Sequence, residues 1–105
     1  MLAPIPEHML ESLVAYRDQG RPVGDFLEAV IANDLVGAAG RADGVNINLL
    51  PSYANWLYNE IPQSAWGSRQ AYRSWIEGKA KLRDDEAERR TRIDEHARRV
   101  VLGRV

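Results

Sequence analysis

The stretch Val23-Gly24-Asp25-Phe26-Leu27-Glu28-Ala29-Val30-Ile31-Ala32-Asn33-Asp34-Leu35-Val36-Gly37-Ala38-Ala39-Gly40-Arg41-Ala42 decides how this chain folds. It reads as one helix with apolar or small residues almost all the way round. Asp25 and Glu28 fall in its first turns, where negative charge complements the helix dipole. A helix apolar on every side is normally covered on every side. Within it, Asn33 and Asp34 stand between Val30-Ile31 and Leu35-Val36. They are expected to be mostly buried and hydrogen-bonded, because an acid withdrawn from water without a partner is costly. Two readings are open: a structural polar network in a small helical core, or the floor of a binding site.

Outward from this stretch, the chain reads as all-α, a compact bundle of three to four helices. A first helix spans about residues 6–19, with Pro6 suited to the first helical position and Gly20 to the position just past the end. Leu10, Leu13, Val14 and Arg17 form its inner stripe. After the Asp43-Gly44 turn, Asn48 is read as the N-cap of a third helix over Leu49–Glu60. That helix turns Leu50, Tyr53, Ala54, Leu57 and Ile61 inward, and Pro62 ends it. Ser68 caps the last helix, which runs from Arg69 to about Val101, on the order of 50 Å.

That length exceeds a body whose radius of gyration should be about 13 Å. Ala71, Trp75, Ile76 and Leu82 are the candidate core residues of the last helix, and from Gly78 onward it is mostly charge. Six acid-to-base pairs stand there at i,i+4: Glu77–Lys81, Asp85–Arg89, Glu86–Arg90, Glu88–Arg92, Asp94–Arg98 and Glu95–Arg99. Each contributes only ~0.3 kcal/mol. The organisation expected is a helical body over residues 1–78 and a charged helical extension over residues 79–105. Heptad positions from Trp75 are apolar at only half, a poor coiled-coil seam.

The 105 residues include 45% hydrophobic and 28% charged side chains, the composition of an ordinary globular domain. There is no cysteine, which removes thiol nucleophiles and thiolate metal sites. The N-terminal sequence is not that of a signal peptide, and no apolar run approaches a membrane span. A soluble, cytoplasmic protein is expected. Residues 1–78 carry five Arg and nine acids, a net −4, whereas residues 79–105 carry nine Lys or Arg and six acids, a net +3. Nucleic-acid binding would therefore have to reside on the tail, where interleaved acids oppose it.

The residues that bear on function cluster around the second and third helices. Asn33, Asp34, Arg41, Asp43 and Asn48 offer hydrogen bonds and charge, and Trp56, Tyr58 and Trp66 offer rings. Such a set suits a planar polar ligand, because stacking supplies affinity and polar groups supply orientation. The bland alternative is that Asp34 pairs with Arg41 or caps a helix and that the rings pack on one another. Gly37 and Gly40 suggest a close approach to the backbone, by a tryptophan, a second subunit or a ligand. Trp56 and Tyr58 lie about 200° apart on a helix, so the core cannot hold both. His8 and His96 stand far apart, and no catalytic motif, metal ligand set or cofactor loop is recognisable.

The run from Gly24 to Leu35, with Arg41-Ala42-Asp43, Trp56-Leu57-Tyr58-Asn59 and Trp66-Gly67-Ser68, resembles a group of small proteins encoded by tailed phages and prophages. The resemblance covers about residues 4–78 and stops at the charged tail. It implies a cytoplasmic accessory protein, a setting in which small non-enzymatic inhibitors and sponges of host defence are common. It transfers no catalytic residue. The expected function is a non-enzymatic binding protein that sequesters a small polar, nucleotide-like ligand or blocks a host protein. The alternative is a homo-oligomer, most simply a dimer through the second or last helix, whose basic tail contacts nucleic acid or a macromolecular partner.

Overall fold

A computed structural model describes the backbone of residues 2–102 and the side chains of residues 2–90. Among the described residues there are five α-helices and no strand: α1 (Glu7–Gln19), α2 (Asp25–Ile31), α3 (Leu35–Arg41), α4 (Leu50–Glu60) and α5 (Arg69–Leu102). Short 3-10 turns at Asn46–Leu49 and Gln63–Ala65 lead into α4 and α5.

The punctuation at the chain's ends follows local chemistry. Pro6 is the N-cap of α1, one position earlier than expected. Gly20 closes α1 in the left-handed region, and its N–H donates to the Tyr16 carbonyl at 2.9 Å. A Cβ there would collide with the Lys79 side chain, so this glycine also lets α1 end against α5. Ser68 caps α5 through a 3.0 Å bond from the Ala71 N–H to its Oγ.

The stretch read as one helix is two. Ala32 ends α2, Asn33 adopts φ +60°, and Asp34 caps α3 by accepting the Gly37 N–H at 2.9 Å. Asparagine is among the few residues with a side chain that tolerate the left-handed region, and aspartate is among the best N-caps. Side by side they break the helix at small cost. The expectation that this pair is mostly buried is corrected: Asn33 is exposed and Asp34 is half-buried. The break is braced from outside by the Gly67 N–H, which donates to the Ile31 carbonyl at 2.8 Å.

Two further expectations change. Asn48 does not cap α4; it is exposed and its Nδ2 donates to the Gly44 carbonyl at 3.3 Å. The N-cap of α4 is Leu49, without a side-chain hydrogen bond, and the Asp43 carboxylate accepts the Val45 and Asn46 N–H groups at 3.0 and 2.7 Å to wind the 3-10 turn before it. Gly40 is not covered by a tryptophan, since a Cβ placed there would meet open space.

The core gathers on tyrosines. Tyr16 stacks on Tyr72 at 5.3 Å between centroids, and its hydroxyl donates to the Ala65 carbonyl at 2.7 Å. The Tyr72 hydroxyl accepts the Val23 N–H at 3.0 Å, and Trp75 Nε1 donates to the Tyr16 carbonyl at 2.9 Å. Phe26 meets Tyr53 edge-on, and the Tyr53 hydroxyl donates to Asn46 Oδ1 at 2.7 Å. Burial pushes the Tyr53 phenol up to about 12. Leu13, Leu27, Ile31, Leu57 and Ile61 fill the space between the rings.

α5 carries the molecule to 68 × 26 × 21 Å. Every described side chain beyond Ala80 is exposed, including Leu82, which was expected in the core. Of the six expected charge pairs, Glu77–Lys81, Asp85–Arg89 and Glu86–Arg90 fall on described side chains and form no ion pair. The other three reach beyond the described side chains, where Ile93, His96 and Val100 also lie. No helix among the described residues is long and apolar enough to cross a membrane.

Candidate functional site

The break between α2 and α3 bends the chain into an elbow, and α4 runs past its open side. Between them lies a groove of about 270 Å³. Its floor and walls are Ala29 and Val30 of α2, Leu35 and Ala38 of α3, and Leu50, Ala54, Leu57 and Tyr58 of α4, with Trp66 alongside and Asn33 and Asp34 at the elbow. The α4 contribution has a simple sequence basis: Leu50, Ala54 and Tyr58 recur at i, i+4 and i+8 on one helix face.

The polar end of the groove is built around Asp34. Its Oδ1 accepts the Gly37 N–H and its Oδ2 accepts Arg69 Nη2 at 3.1 Å. The Arg41 guanidinium folds back along α3, where its Nη1 donates to the Gly37 carbonyl at 3.2 Å. A Cβ on Gly37 would run into the Asp34 carboxylate and touch Arg41, so glycine is what lets these groups share the turn. The Gly37 N–H first, then Arg69 and the charge of Arg41, hold the Asp34 carboxyl below its usual value. One acid thus faces two cations.

The apolar rim is open: Leu35 is 69% exposed and Tyr58 78%, and Val36, next to Leu35 but outside the groove's lining, is 82% exposed. Trp66 is half-buried, and its Nε1 is fully shielded without a hydrogen-bond partner among the described residues. A buried donor left without an acceptor carries a desolvation cost of roughly 1–3 kcal/mol.

Of the eight residues singled out from sequence, the groove brings together Asn33, Asp34, Tyr58 and Trp66, with Arg41 beside Asp34. Asp43 and Asn48 are engaged in the turn before α4. Trp56 lies on another flank of α4 under the Arg17 guanidinium, 5.7 Å from the ring centroid, and lines a wider depression with Leu2, Pro4 and Ile5. Sequence reading missed Arg69, Leu35 and Val36. The last two were counted among residues that a neighbour covers. Among the described residues no cluster of three His, Cys, Asp or Glu side chains gathers in a metal-ligating arrangement.

No family model, curated protein or solved structure matches the chain. The resemblance to small phage proteins therefore stands on the quoted residues alone.

Proposed function

We propose that this chain is a non-enzymatic accessory binding protein of the cytoplasm that acts by docking another protein in the groove between the α2–α3 elbow and α4. One observation carries the reading: an apolar groove beside the Trp66 indole opens between exposed Leu35 and Tyr58. Of the two occupants expected from sequence, a blocked protein suits this lining better than a small polar ligand. Nine of the eleven lining residues are apolar or aromatic, and the polar pair sits at one end. Its volume also falls below the ~300 Å³ at which small-molecule pockets begin.

The test is selection of displayed random peptides on the full chain, repeated with Ala54→Trp. Ala54 is exposed on α4, so the indole fills the groove with little demand on the fold. Binders lost on Ala54→Trp support the reading, and a selection yielding no groove-dependent binder overturns it. A nucleotide that raises Tm in both proteins would restore the small-ligand reading at another place.

Self-association, with a dimer favoured, is the second reading. Leu35 and Val36 are uncovered on α3, and Gly40 faces open space on the same helix. Sedimentation showing a monomer at tens of micromolar would remove it. A role for the tail in nucleic-acid binding rests on Arg89 and Arg90, which are exposed, and on Arg92, Arg98, Arg99 and Arg104, whose side chains lie outside the described residues.

A further inference from the structure

We infer that the groove's partner is an acidic amphipathic helix, which seats a large apolar side chain beside Trp66 and turns carboxylates toward Arg41 and Arg69. The inference rests on the docking reading above and adds the partner's chemistry. Two observations carry it.

The first is extent. A groove of about 270 Å³ is filled by one large side chain. A free small molecule of that size would leave much of Leu35 and Tyr58 in water. A helix laid across the mouth covers them with the neighbours of its anchor at i, i+3 and i+4. Because no strand edge is available among the described residues, a partner cannot add itself as a strand.

The second is charge. Asp34 is the only charged residue lining the groove, and it is held between Arg69 and Arg41. The polar end therefore carries one surplus positive charge, although residues 1–78 as a whole carry a net −4. A carboxylate placed there meets Arg41 and completes a two-by-two arrangement of charges. A second copy docked about a twofold axis would instead bring this surplus against its own image, and like charges held together are costly.

The probe is an acetylated, amidated helical peptide of about 16 residues, with Trp and Leu at i and i+4 and glutamate flanking them. Two counterparts carry glutamine or lysine in place of every glutamate. Anisotropy titrations on the full chain should rank them Glu, Gln, Lys, with about fivefold between the first and last. Arg41→Gln should shrink that spread, and Ala54→Trp should abolish binding of all three. Ala54→Arg repeats the block if the tryptophan disturbs the circular dichroism spectrum.

Equal affinities, all lost on blocking the groove, would overturn the acidic partner and leave the docking reading intact. Tighter binding of the lysine peptide would do the same. Binding that survives both blocks, or none up to about 1 mM, would overturn both. A wild-type dimer that Ala54→Trp turns into a monomer would make the occupant a second copy and end this inference.

Discussion

The tyrosine side of the molecule and the groove side use similar residues in opposite ways. On the first, the Tyr16, Tyr53 and Trp75 donors all reach acceptors between 2.7 and 2.9 Å, and leucine and isoleucine are sealed among them. On the second, the Trp66 donor reaches none among the described residues, and Leu35 and Val36 face water. The lesson is a division of labour within about 80 residues. One side makes the fold stable, and the other leaves apolar surface in water.

The largest test of that division compares two leucines. Leu13→Ala removes a side chain with no exposure and should cost about 3 kcal/mol in urea denaturation. Leu35→Ala should change stability by less than about 0.5 kcal/mol. A comparable loss at both would mean that the groove side is part of the core. Next come two tyrosines. Tyr16→Phe leaves the Ala65 carbonyl without its donor and should cost about 1.5 kcal/mol, whereas Tyr58→Phe should leave the urea midpoint unchanged.

Two glycines of α3 give a smaller effect with a change of sign. Gly40→Ala enters open space and should stabilise by about 0.5 kcal/mol through better helix propensity. Gly37→Ala should lower Tm instead, because its methyl displaces the Asp34 carboxylate from the cap. A gain at both positions would show that the cap is dispensable.

The smallest effect is in pH. The folded Asp34 carboxyl lies below its usual value, so its stabilisation is complete above about pH 4 and is lost as the pH falls through the folded value. Asp18, lowered by its bond with Arg17, acts in the same window. Asp34→Asn keeps a capping oxygen but loses the pairing with Arg69. It should therefore flatten the acid limb of the urea midpoint against pH without removing it. An unchanged limb would mean that the Arg69 pair contributes nothing.

What the sequence revealed follows the range of each interaction. Gly20, Ser68 and Pro62 act on their own turns, and the ends of α1, α4 and α5 were legible from them. The break in the second helix was not, although Asn33 and Asp34 are both known breakers, because flanking apolar residues at helical spacing gave a continuous pattern. The periodicity was genuine for each half and misleading across the join. Asn48 is no cap because the 3-10 turn, wound by Asp43 on the Val45 and Asn46 N–H groups, takes it up and hands the chain to α4 at Leu49. Tyr58 was legible as the ring the core could not hold. The Arg69–Asp34 pair was not, since 35 residues separate the partners and no local spacing encodes that meeting.

Sequence distance has a further consequence at Tyr16. Its hydroxyl bonds 49 residues onward, and the indole that caps its carbonyl comes 59 residues onward. During synthesis α1 therefore leaves the ribosome long before the groups that bond and stack on Tyr16 exist. The body closes only when the start of α5 arrives, and that closure carries the entropy of a loop of about half the chain. Folding should thus be slower than helix content alone suggests, with a late, concerted step that joins the two ends of the body. A chain stopped after α4 would hold three-fifths of the residues and little of the stability.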